Sequence, residues 1–202
     1  MKAIRALALG LLVLPAACMQ ANTAGTPVSA SFLPAMRWDA HRPEAGDWTR
    51  ALLGALRDEG AVLASTVPSD VDTFCPGYAD AAPQERVAFW AGLFSVLAKH
   101  ESTFNPKARG GGGQWIGLMQ ISPRTAEAYD CDLPAKSGLA DGKANLACAV
   151  KIAASQVSRD GAIVADSDGD WRGIARDWAP MRSAAKRDDM AGWTRKQSYC
   201  QG

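Results

Sequence analysis

The chain has little of what several enzyme classes require. Its 202 residues hold only 2 His, His41 and His100, so a peptidase built on a nucleophile–His pair has almost nothing to draw on. No Gly-x-Ser-x-Gly elbow occurs. The glycine run 110–113 is not followed by the Lys-Ser/Thr of a phosphate loop. His100-Glu101 opens like the His-Glu-x-x-His of a zinc protease, but Phe104 stands where the second ligand would be. Neither sign of charge is in excess, with 22 basic and 21 acidic residues, and a nucleic-acid partner would draw on a basic surplus that is not there. Asp166, Asp168, Asp170 and Asp177 approach calcium-loop spacing. However, Trp171 replaces the required Gly and Asp177 the usual Glu, so the segment reads as a helix-capping loop. Neither a metal nor a cofactor is expected. No segment alternates over strand length, and no internal repeat is present.

A hydrophobic fraction of 48% against 21% charged residues is enough for a packed core, and the length suits one domain. The N-terminus reads as an export signal over residues 1–18. Lys2 and Arg5 precede an apolar run of 12 residues, 6–17, too short to span a bilayer. "LPAAC" resembles a lipoprotein cleavage box ending at Cys18, although Leu14 falls one place early and Pro15 occupies the usual Leu position. Lipidation of Cys18 and ordinary signal-peptidase cleavage nearby stand as alternatives. Both put the protein in the periplasm or outside, the first as a membrane-anchored lipoprotein. Beyond Cys18, an even set remains: Cys75, Cys131, Cys148 and Cys200. Four cysteines allow three pairings. We expect Cys131–Cys148, which closes a short local loop, with Cys75–Cys200 tying the start of the domain to its end.

Residues 19–43 are rich in Ala, Thr, Ser and Pro and read as a linker or loosely packed arm, with the globular domain at 44–202. Within it the patterning is helical. Leu52, Leu53, Leu56, Val62 and Leu63 predict a helix over 47–65. The strongest helix is predicted over 83–102, with Pro83 at its first position and Glu85 in its first turn. Val87, Trp90, Phe94 and Leu97 form its apolar stripe, widened by Phe89, Leu93 and Val96. Asn105-Pro106 should stop it. Ser122-Pro123 opens another short helix, 141–161 a longer one, and two more fall within 168–200. The class is mainly α, with at most a minor hairpin around 113–121.

Glu101 lies four residues after Leu97 and seven after Phe94, so it continues the apolar stripe. Desolvation there favours the protonated carboxyl, and the negative end of the helix dipole pushes the same way. A neutral carboxyl near pH 7 is what a general acid needs. The competing reading has Glu101 turned outward or paired with Lys99, His100 or Lys107. Gln120, between Met119 and Ile121, needs partners if buried, either the loop backbone or a ligand amide.

The stretch "HESTFNPKARGGGGQWIGLMQISPRTAEAY" resembles the lytic transglycosylase SLT domain, a goose-lysozyme-like family. The matching residues are Glu101, Ser102, Phe104, Pro106, Gly117 to Ile121, Pro123, Thr125 and Ala126. "ANLACAV" resembles the Asn-containing helix that follows, and the likeness runs over roughly 83–182. It implies a lysozyme-like catalytic domain. It also implies a peptidoglycan lytic transglycosylase that cleaves the β-1,4 bond between N-acetylmuramic acid and N-acetylglucosamine and leaves a 1,6-anhydro end. Glu101 would be catalytic, with Ser102, Met119, Gln120, Tyr129 and Trp178 around the substrate. The partners would be glycan strands and, beyond them, cell-envelope machinery. Two departures stand out. Gly110 to Gly113, Gln114 and Trp115 replace the family's usual loop. The Ala-Tyr-Asn motif is absent, with Trp178 of "ARDWAPMR" in about its place. The alternatives are a lysozyme-type hydrolase of the same bond and a non-catalytic wall-binding or assembly protein.

Overall fold

The apolar helix expected at 83–102 forms over that span as α3, Pro83–Ser102. In the computed structural model, which describes residues 33–164 and 170–201, α3 is the central buried rod. Its whole middle, Val87 to Ala98, is buried, so it reads as apolar nearly all round, as a core helix must. Glu85 accepts from the Ala82 N–H at 2.9 Å and caps the start. The export signal, Cys18 and residues 19–32 of the expected arm lie outside the described residues, as do 165–169 of the acidic loop.

Around α3 pack α1 (Ala45–Arg57), α2 (Ala61–Ser65) and α6 (Ala184–Thr194), while α5 (Gly142–Asp160) packs against α1 and α2. Between α3 and α5 the chain forms a two-residue hairpin, β1 (Arg109–Gly110) with β2 (Trp115–Ile116), and the short α4 (Pro123–Ala128). The structure is therefore mainly helical with one small antiparallel sheet. The hairpin starts four residues before the span expected for it, and Ile116 also bridges to Ile121.

Three further differences have physical causes. The helix expected over 47–65 breaks after Arg57 and resumes at Ala61. The break turns the Leu63 carbonyl to accept from Tyr78 Oη and Trp90 Nε1, both at 2.9 Å; tertiary bonds override the periodicity. The helix expected within "DGDWRGIARDWAPMRS" is two 3₁₀ turns, Gly173–Arg176 and Ala179–Arg182, because Pro180 lacks the N–H that a continuous helix would use. Finally, residues 33–43 are not loose. Trp38 is 0% exposed; its Nε1 donates to Thr49 Oγ1 at 3.0 Å, and it meets Trp48 edge-on at 5.8 Å.

Both expected disulfides are present. Cys75–Cys200 joins the ends of the fold across 125 residues, and Cys131–Cys148 fixes the loop after α4 to α5 across 17. Two such bonds point to an oxidising, exported compartment. Among the described residues no helix is long and apolar enough to cross a membrane. Replacing Cys131 and Cys148 together by Ser should lower stability by about 3 kcal/mol through unfolded-chain entropy. The midpoint of urea unfolding of variant and wild type, both without reductant, checks this, and equal midpoints would contradict it.

Candidate active site

Glu101 sits in the last turn of α3, partly buried. Two of the neighbours that could have paired with it, Lys99 and His100, are engaged elsewhere. Lys99 Nζ and His100 Nε2 both reach Asp189 Oδ2 of α6, at 2.8 and 3.0 Å, and Arg37 adds a longer contact to the same carboxyl. These cations hold the Asp189 carboxyl below its ordinary range, led by the Lys99 bond. Burial pushes the His100 imidazole down in spite of Asp189. Among the described residues Glu101 has no hydrogen-bond or ion-pair partner. Burial raises its pKa from 4.5 to about 7, opposed only by the more distant charge of Lys186.

The helix is ended by two left-handed residues, Thr103 and Phe104, at φ 51 and 60, ahead of the expected Asn105-Pro106 stop. Phe104 is buried and stacks on His41 at 5.1 Å. That anchor turns the chain sharply from Glu101 into the hairpin. The glycine run is the hairpin's turn. Gly111, Gly112 and Gly113 have φ of 53, 68 and 100 in succession, a path that side chains would strain. A Cβ on Gly111 would also lie 2.2 Å from the Trp115 ring, so the indole folds down over the turn.

After the hairpin, Gly117 passes so close to Asn145 and the Leu139 carbonyl that a Cβ would sit within 2.4 Å of both. Asn145 is 0% exposed. Its Oδ1 accepts from the Met119 N–H at 2.8 Å, and its Nδ2 donates to the Ile116 and Leu139 carbonyls at 3.0 Å. One amide thus holds the hairpin, the Met119 segment and the loop before α5.

The remaining expected site residues divide clearly. Gln120, at φ 48, donates to the Gly117 carbonyl at 2.9 Å and the Ala108 carbonyl at 3.3 Å. Of its two expected roles it takes the loop-anchoring one. Ser102 Oγ donates back to the Ala98 carbonyl at 3.2 Å. Met119 is 0% exposed and Trp178 2%. Trp178 Nε1 donates to the Met119 carbonyl at 2.9 Å, and its ring meets Phe94 edge-on at 6.3 Å. Both are core side chains that support the site from behind, because each is enclosed by apolar neighbours. Tyr129, partly buried, accepts from Gln156 Nε2 at 3.2 Å.

The structure adds two residues to this set. Trp115 is 45% exposed and lines a small recess with Gln120, Ser122, Thr125, Asp177 and Trp178. Asp177 brings an acidic group there. Its carboxylate accepts from Gln156 Nε2, and burial of the carboxyl raises its pKa, against the Gln156 bond and nearby arginines. The sequence marked Asp177 only by its spacing to other Asp residues. The buried amides Gln156 and Asn145 were detectable as polar residues inside apolar helical runs.

Residues 80–166 match the model of the Transglycosylase SLT domain. Among solved structures, the chain is similar to one titled "Bd0314 DslA wild-type form 2", with a TM-score of 0.76, 29% identity, and coverage of 84% of this chain and 100% of that one. A Glu-to-Gln mutant of the same protein matches with a TM-score of 0.76 and 29% identity over the same 84% and 100%. No protein of curated function matches.

Proposed function

From the match of residues 80–166 to the transglycosylase SLT domain, we propose that this chain is a lytic transglycosylase of peptidoglycan with Glu101 as its single acid and base. The observation that carries this reading is the state of Glu101: unpaired, partly buried, and with a pKa raised to about 7 by burial. Near neutral pH a sizeable share of such a carboxyl holds a proton that it can give away.

The steps follow from that proton. Glu101 protonates the glycosidic oxygen between N-acetylmuramic acid and N-acetylglucosamine, and the bond from the muramic C1 breaks. The substrate's own acetamido group shields the positive charge left at C1. Glu101, now ionised, takes the proton of the muramic C6 hydroxyl, whose oxygen bonds to C1 and closes the 1,6-anhydro ring. No water is consumed, and Glu101 ends protonated as it began. The low-dielectric end of α3 serves both halves, since a pKa near 7 makes the group a usable acid and then a usable base. In this reading the protein is exported, with Cys18 its candidate lipid anchor and envelope machinery its candidate partner.

A lysozyme-type hydrolase is the second reading. Hydrolysing glycosidases use two carboxyl groups, and Asp177, an acid lining the recess beside Gln120, is the candidate for the second. Mass spectrometry of digested glycan strands separates the two. The proposal expects anhydro-muramic ends that disappear in Glu101→Gln. Reducing ends, incorporating solvent ¹⁸O and lost in Asp177→Asn, would establish the hydrolase instead. Binding without any release would leave a wall-binding protein.

A further inference from the structure

Glu101 is followed, two residues on, by a strained turn. Thr103 and Phe104 both take left-handed backbone, at φ 51 and 60. Glycine is the usual residue at such a helix end. For residues with side chains the conformation is unfavourable, and for β-branched Thr103 it is an outlier. The turn does close the helix. The Thr103 N–H donates to the Lys99 carbonyl at 3.1 Å, and the Phe104 N–H to the Ala98 carbonyl at 3.4 Å. Strain of this kind persists only where the surroundings fix it, and it gathers at functional sites.

The fixing group comes from the start of the described chain. Phe104 is buried, and the His41 ring lies across it with centroids 5.1 Å and planes 28° apart. His41 itself is exposed, so its imidazole covers the outer face of Phe104. The arm that carries His41 is held firmly. Its Met36 and Trp38 are buried. The Arg37 N–H donates to Ser95 Oγ of α3 at 3.0 Å, and Ser95 Oγ donates in turn to the Gly92 carbonyl at 2.7 Å. The Arg37 guanidinium stands 3.8 Å from the Asp189 carboxyl that also binds Lys99 and His100. A last turn, the His41 N–H to the Trp38 carbonyl at 2.9 Å, sets the imidazole. The arm thus grips α3 at Ser95 and its closing turn at Phe104, on both sides of Glu101 along the chain. Residues 33–43 precede the matched residues 80–166, so that match does not account for them.

We propose that His41 is a positioning residue of the active site: by stacking on Phe104 it locks the strained turn that holds Glu101 in place at the end of α3. The assignment rests on the acid role of Glu101 in the glycan-cleaving reading above. A loosened turn lets water reach Glu101 and weakens the desolvation that keeps its proton. The charges near Glu101 are Lys186 on α6 and, on α3 itself, Lys99 and His100, both bound to Asp189. His41 pairs with none of them among the described residues.

His41→Ala and His41→Phe test the proposal. Both changes are at an exposed position and leave Met36 and Trp38 buried, so both variants should fold. In His41→Ala, kcat on glycan strands should fall about tenfold, a modest share of what a misplaced acid loses, with KM unchanged. The alkaline limb of its pH profile should move to lower pH. His41→Phe keeps a ring on Phe104 and should keep the wild-type kcat and pH limb. A wild-type kcat in His41→Ala would overturn the proposal. Equal losses in the two variants would also overturn it, by giving the role to the chemistry of the imidazole. The second measurement needs no substrate. By ¹³C NMR, the midpoint of the Glu101 carboxyl should fall in His41→Ala from about 7 towards 4.5, and an unmoved midpoint refutes the proposal. If the wild type releases nothing from glycan strands, the glycan-cleaving reading has failed and the midpoint alone decides the role of His41.

Discussion

Replacing Glu101 by Gln removes glycan cleavage, by about 10³-fold or more, the contribution of a positioned general acid, and at the same time makes the protein more stable at alkaline pH. The second half of this result is the more diagnostic. A carboxyl whose folded pKa is raised is neutral in both states at low pH. As pH climbs past its unfolded value of 4.5, the unfolded chain gains by ionising while the folded one does not, until about 7. Stability is therefore full below 4.5, falls through the interval, and levels off above about 7. The shift corresponds to about 3 kcal/mol. Glutamine does not titrate, so Glu101→Gln should match the wild type near pH 4 and exceed it by about 3 kcal/mol near pH 9. Urea unfolding at the two pH values measures the gap. A variant that is inactive yet no more stable at alkaline pH would mean that burial does not hold the proton on Glu101.

Asn145→Ala should be the most damaging single substitution in the core of the site. It removes the partners of three backbone groups at once: the Met119 N–H, the Ile116 carbonyl and the Leu139 carbonyl. Buried polar groups left unpaired cost about 1–3 kcal/mol each, so a loss of about 5 kcal/mol is expected. Asn145→Asp keeps the acceptor, loses the donor and buries a charge against two carbonyls, so it should do no better. The midpoint of urea unfolding is the readout. A loss under about 1 kcal/mol would show that the three bonds are replaceable by water. The prediction matters beyond stability because the same three bonds tie the hairpin strand at Ile116 to the Met119 segment and to the loop before α5.

Much of the scaffold was legible because single residues announce it. Pro83 and the run of large apolar side chains behind it define α3 from end to end, and Ser122-Pro123 and Asp141 mark the starts of α4 and α5. Glu101 stood out for the same reason, as the one acid on an apolar stripe. What periodicity could not show were the tertiary bonds. Nothing local says that Leu63 offers its carbonyl to two distant side chains, so the break before α2 was invisible. An indole is ambiguous in sequence, since it suits a sugar face and a core equally. Trp178, expected beside the substrate, is a core side chain, and Trp115, named only as part of the departing loop, lies at the surface. Asp177 lies in the recess between two 3₁₀ turns, held by Gln156, some twenty residues earlier on another element, and no local pattern shows that bond. The glycine run, read first as a departure from the family's loop, is a turn of three successive left-handed residues with an indole laid over it.

The account turns on a proton that α3 keeps on Glu101 at neutral pH. The most direct measurement is the titration of the Glu101 side-chain carboxyl, followed by ¹³C NMR with Glu101→Gln identifying the signal. A midpoint near 7 agrees with a buried donor ready to protonate the glycosidic oxygen. A midpoint near the ordinary 4.5 would leave Glu101 ionised at neutral pH and would contradict its role as the acid.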